Sequence, residues 1–130
     1  MKQVHNPAGV RKPFGGYSHG LSLPAAGRLL VTSGQLGIAV DDTIPLDVEA
    51  QAILCFEAVK AILADAGMDF SDVIRIAGFV TRREDFPTYM AVRDRYTVDP
   101  RPVSTLVIVS GFTRPEFLVE IEVTALQADD

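Results

Sequence analysis

The sequence predicts an α/β (α+β) domain in which two helices pack on one face of a mixed β-sheet. Three observations point there. The run 47–66 repeats its apolar residues with helical spacing, and a second helical stretch is bracketed by Pro87 and Pro100. Segments 72–81, 103–109 and 117–126 read as strands around them. With 130 residues, the chain suits one domain, 1–130, built on a single core. Its 48% hydrophobic and 22% charged content is that of a globular protein rather than a disordered tail.

The elements follow in order. Residues 6–16, NPAGVRKPFGG, carry two prolines and three glycines and read as an irregular arm. The stretch 21–34 gives two short strands, the second over 28–32, joined through 24–27, and Ser33-Gly34-Gln35 ends it. In the first helix Val48, Ala52, Phe56, Val59 and Leu63 step by four, four, three and four onto one face. Asp47 caps its start and Gly67 ends it. Cys55 lies beside this stripe, where packing explains it better than catalysis. Segment 72–81 is apolar on both faces, as expected of a covered central strand. Asp85 and Pro87 start the second helix, Met90 and Tyr96 are inward candidates, and the helix ends before Pro100.

Several function classes fall away on composition. The net charge of −5 argues against nucleic acid as the main partner, and the adjacent Arg82–Arg83 pair reads as a solvated turn. One cysteine permits neither an intrachain disulfide nor a cysteine zinc site, and His5 and His19 lack metal-ligand spacing, so no metal is expected. No apolar run approaches the roughly 20 residues that span a bilayer, and no signal-peptide pattern opens the chain, so no membrane partner and a cytoplasmic address are expected.

The strand pattern raises a difficulty. In 117–126, Phe117, Val119, Ile121, Val123 and Ala125 share the face suited to the helices, leaving Leu118, Glu120, Glu122, Thr124 and Leu126 on the other. In 103–109, Ser104, Leu106 and Ile108 oppose Val103, Thr105, Val107 and Val109, and both sides want cover. A two-helix layer covers one. Other subunits are therefore expected to cover the second.

Taken together, PFGGY (13–17), LLVTSGQLG (29–37), QA…AVKAIL (51–63), the strand at 73–81, DFPTYMAVRDRY (85–96) and LVEIEVTAL (118–126) resemble the reactive-intermediate deaminase family, the YjgF or L-PSP type. The likeness covers nearly the whole chain through the order and spacing of the pieces. It implies a chorismate-mutase-like fold and a homotrimer whose sheets enclose a central barrel, with a small-molecule cleft at each subunit interface. It also implies hydrolysis of enamines and imines released by pyridoxal-phosphate enzymes to a carbonyl compound and ammonia, without metal or cofactor.

By position, the resemblance makes Glu120 the carboxylate that holds the attacking water, Tyr17 the aromatic at the cleft mouth and Ser33 the serine of the SGQ turn. Backbone N–H groups near Thr105 and Leu106 are candidates to hold a substrate oxygen. Plainer accounts stand beside these: Glu120 on a solvated strand face, Tyr17 as an anchor for the arm, Ser33 as a turn residue.

One position departs from the family pattern. Ser104 stands where the deaminases carry an arginine that grips the substrate carboxylate, and Leu106 stands where cysteine is frequent. A hydroxyl does not replace a guanidinium fork, and its loss costs about 2–5 kcal/mol if the carboxylate stays desolvated. Arg101 points to the other face between two prolines, leaving Arg75, Arg83 and Arg114 as the candidate cations to reach in from elsewhere. The sequence thus supports the fold more strongly than the reaction. A deaminase with an altered substrate range comes first, a non-catalytic binding or regulatory trimer second, and a ribonuclease or translation inhibitor last.

Overall fold

The structure, a computed structural model, describes residues 1–129. Its centre is a mixed five-stranded sheet made of β3 (Gly27–Val31), β4 (Gln35–Leu36), β5 (Val73–Val80), β6 (Val103–Ile108) and β7 (Val119–Ala128). Strand β7 runs between β5 on one side and β3 followed by β4 on the other, all antiparallel to it. Strand β6 lies parallel to β5 and forms the far edge. Helix α2 (Phe86–Tyr96) makes the crossover that this parallel pair requires, and α1 (Val48–Asp65) carries the chain from β4 past β7 to β5.

Helix α1 forms as its stripe predicts. Asp47 accepts a hydrogen bond from the Ala50 N–H at 3.1 Å, and Gly67 takes φ +72°, which a side chain would disfavour. Ala52, Cys55, Phe56, Val59 and Leu63 are fully buried against Ile76, Val80, Val119, Ile121 and Ala125 of the sheet. Gln51 shares that face but is fully satisfied. Its Nε2 donates to the carbonyls of Pro45 and Glu116, and its Oε1 accepts from the Leu118 N–H, each at 2.8 Å. A buried amide thus staples the loop entering β7 to the helix.

Two sequence readings need adjustment. The first short strand is β2 (Gly20–Ser22), and it pairs with β1 (Gln3–His5) in a separate two-stranded ribbon rather than joining the main sheet. Three residues with no buried side apiece carry little periodic signal, which is why β1 escaped the reading. In α2 the deepest residues are Tyr89, Val92 and Arg93, while Met90 and Tyr96 pack partly buried around them.

Strand register fixes which side chains share each face. Ile76, Gly78 and Val80 stand between Val123, Ile121 and Val119 on one side and Ser104, Leu106 and Ile108 on the other, all toward the helices. The opposite face carries Glu120, Glu122 and Thr124 beside Phe79, Ala77 and Arg75, then Val107, Thr105 and Val103. No helix covers it. Leu29 and Val31 are each 67% exposed there, so a single copy leaves apolar surface open to water, as the alternation predicts. Among the described residues no helix is long and apolar enough to cross a membrane.

Candidate functional site

Glu120 sits on the open face of β7, between Leu36 of β4 and Phe79 of β5. Apolar neighbours on both sides withhold water from its carboxylate, and Glu122 follows two residues on, roughly 7 Å along the same face. Desolvation first, and Glu122 second, raise its pKa above the ordinary glutamate value. The turn before β4 is held against this carboxylate. Thr32 donates its N–H to the Val123 carbonyl and accepts the Val123 N–H on Oγ1, both at 3.0 Å. Gly34 then lies so close that an added Cβ would stand 2.5 Å from the Glu120 carboxyl carbon. That approach explains the glycine of SGQ, and Ser33 is its immediate neighbour in the chain.

The other predicted residues gather elsewhere. Ser18 is buried, donates its N–H to the Pro102 carbonyl at 3.1 Å, and donates its hydroxyl to the Arg101 carbonyl at 2.6 Å. These bonds lay the glycine-rich arm across the start of β6, so that Tyr17 comes near Ser104. The Tyr17 hydroxyl accepts from the Phe14 N–H at 3.2 Å, and its ring meets His19 edge-on at 5.9 Å. Ser104 and Leu106 face the helix layer, whereas Thr105 is exposed on the open face. Val109 donates its N–H to Val80, so by alternation Thr105 also turns its N–H toward β5. Ser104 and Leu106 turn theirs to the free edge.

The residue that sequence reasoning missed is Arg93. None of Arg75, Arg83 or Arg114 approaches Ser104: Arg75 lies on the open face beside Glu122 and Thr124, Arg83 opens a single helical turn before α2, and Arg114 sits over Phe117. Arg93 is 3% exposed, and its Nη1 donates to Ser104 Oγ at 3.4 Å. The signal was present, since Tyr89, Val92, Arg93 and Tyr96 recur at the spacing of one helix face. An arginine on that inward stripe is anomalous and points to a partner.

The two groups stand on opposite edges of the sheet and, for Glu120 and Ser104, on opposite faces. From Glu120 the row runs through Phe79 to Val107, about 10 Å across two strand spacings. One chain therefore keeps the two groups of predicted residues apart. Cys55 belongs to neither: it is fully buried in the core, and burial pushes its thiol up to about 12. Among the described residues no three His, Cys, Asp or Glu side chains group so as to hold a metal ion.

Comparison with known proteins agrees with this architecture. The family described as Endoribonuclease L-PSP matches residues 9–127. Protein DfrA of Myxococcus xanthus is 36% identical over 127 residues, covering 96% of this chain and 95% of its own. The putative reactive intermediate deaminase TdcF of Escherichia coli is 30% identical over 132 residues, 98% of this chain and 99% of its own. Its crystal structure with bound serine superimposes with a TM-score of 0.71 at 29% identity, covering 97% and 99% of the two chains. The Rid-family protein YyfB from Yersinia pestis, of unknown function, gives a TM-score of 0.84 at 24% identity over 97% and 98%.

Proposed function

The chain belongs to the reactive-intermediate deaminase (YjgF/L-PSP) family, and we propose that it hydrolyses a reactive enamine or imine to a carbonyl compound and ammonia. The observation that carries this reading is the Glu120 carboxylate, pressed by Gly34 and flanked by apolar side chains, with its pKa raised. Such a group accepts a proton from water in one step and returns it in the next. Water adds its oxygen to the carbon of the protonated imine and gives one proton to Glu120, leaving a neutral carbinolamine. Glu120 returns that proton to the nitrogen; the C–N bond then breaks as C=O forms, and the hydroxyl proton passes to Glu120 and on to the departing ammonia. Holding water against an already electrophilic carbon supplies most of what the reaction needs.

The two groups, read as half-sites, suggest the assembly. Complementary groups on opposite edges of one sheet meet when copies associate head to tail, and a closed ring of that kind satisfies every edge. A homotrimer would set Glu120 and Ser33 of one copy beside Tyr17, Ser104 and Leu106 of the next, and shelter Leu29 and Val31. Similarity to TdcF, whose structure holds serine, supports a small amino-acid-derived ligand. In this reading the protein works in the cytoplasm on imines shed by pyridoxal-phosphate enzymes. A ribonuclease role finds less support: the net charge is −5, and both histidines lie in the N-terminal region, on Ser22 and the Arg11 carbonyl.

The test is direct. A dehydratase generates 2-aminoacrylate, and pyruvate is followed with and without the protein. Acceleration is expected from the wild type, with Glu120→Gln losing on the order of 100- to 10,000-fold. A wild-type rate no faster than spontaneous hydrolysis overturns the reading.

A further inference from the structure

We propose that Arg93, reaching in from helix α2, is the anion-binding residue of this site and takes the carboxylate of the ligand in place of an arginine on β6. The ligand class rests on the imine-hydrolase reading above, although binding itself requires no hydrolysis.

The bonding of the guanidinium leads there. Its Nε donates to Asp94 Oδ1 at 3.1 Å and its Nη1 reaches Ser104 only at 3.4 Å. Its Nη2 is buried and has no partner at all. One turn earlier on the same face, the Tyr89 hydroxyl is also buried and unpartnered, against Gly78 and Leu106. Buried donors are nearly always paired, so two orphans on one helix face mark a place for an acceptor. The charges agree. Arg93 and Arg101 share Asp94, at 3.1 and 3.9 Å, and the remaining carboxylate, Asp99, is 3.5 Å from Arg101 and almost fully exposed. A two-oxygen anion is the acceptor that matches the under-used terminal nitrogens of a guanidinium.

The arm above is built for approach by backbone rather than side chain. A Cβ on Gly15 would stand 3.4 Å from Nη2, one on Gly16 would stand 2.7 Å from Asp94 Oδ1, and the Tyr17 ring lies 5.9 Å from the guanidinium carbon. The pair Ser104 and Arg93 then reads as a compensating exchange: a small hydroxyl on β6 leaves room for a guanidinium from α2. The consequence is specific. The chain keeps a carboxylate-bearing ligand rather than turning to one without the group, and Ser104→Arg alone crowds two like charges and gains nothing.

The experiment measures pyruvate binding by calorimetry against its neutral methyl ester, while the Arg93 Nε–H signal is followed by NMR. Wild type is expected to bind pyruvate at least tenfold more tightly than the ester, with the Nε–H signal shifting. Arg93→Met should weaken pyruvate tenfold or more, Arg93→Lys should fall between, and Arg93→Met with Ser104→Arg should recover it. If Arg93→Met does not fold, the lysine variant and the double variant decide. Equal binding of acid and ester, binding of neither, or unchanged pyruvate affinity in the arginine variants overturns the proposal and leaves a buried water as the occupant. Glu120→Gln should retain pyruvate. Arg93-dependent binding without hydrolysis sinks the reaction and not the anchor, whereas hydrolysis with an unchanged KM in Arg93→Met does the reverse.

Discussion

The two edges of the sheet carry different kinds of chemistry. At the β4–β7 edge, Glu120 lies on the open face with apolar flanks and a glycine against its carboxylate, which makes it a proton acceptor of raised pKa. At the β6 edge, Arg93 lies under a glycine arm on the helix face, with a donor left unpaired, which makes it a grip for negative charge. In the proposed reading one edge moves protons and the other holds the ligand. That reading makes the reactive constellation conditional on assembly, so the two halves should fail in different ways.

Gly34→Val should break the proton half most sharply. Its side chain must displace the Glu120 carboxylate, and a misplacement of about 1 Å costs on the order of 100-fold in turnover. Steady-state kinetics should show kcat falling with ligand binding preserved; an unchanged kcat would detach Gly34 from the site. Gln51→Leu tests the support beneath that half. Orphaning the Leu118 N–H and two carbonyls should lower stability by about 3 kcal/mol in denaturant unfolding, against near-neutrality if the staple is dispensable.

Effects at the grip should be milder. Gly16→Ala pushes on Asp94 and should raise KM severalfold while sparing kcat, and a kcat defect instead would blur the division between edges. Smaller still is a shift in pH dependence. Since the folded pKa of Glu120 is raised, activity should rise with pH through a midpoint above the usual glutamate range, and Glu122→Gln should move it down. The same sign predicts that ionised Glu120 disfavours folding. This cost is absent below the unfolded pKa and complete above the folded one, so Glu120→Gln should melt slightly higher at neutral pH. Cys55→Ala should leave the rate untouched, because a thiol pushed up to about 12 stays neutral; a lost rate would return it to the mechanism.

The proton half was largely legible in the sequence. Alternation through 117–126 puts Glu120 opposite the buried Val119 and Ile121, and the register confirms that face. The stripe from Val48 to Leu63 gave helix α1 with its cap at Asp47 and its stop at Gly67. The grip was not legible in the same way. Its arginine lies on a different element from the strand position where it was sought, and contact between Arg93 and Ser104 arises only when α2 packs over β6. Position 93 shares the helix face of Tyr89 and Val92, but a charged side chain carries no apolar signal of burial. Strands β1 and β4, of three and two residues, are too short for a period to register.

The central claim is that the two half-sites work across a subunit boundary, and complementation measures this most directly. Glu120→Gln and Arg93→Met chains, each expected to be impaired alone, are unfolded together, refolded as a one-to-one mixture and assayed on 2-aminoacrylate. Random head-to-tail assembly should restore about a quarter of the wild-type rate, since one in four boundaries joins two intact halves. A mixture no faster than the sum of its separately refolded parents would contradict the account.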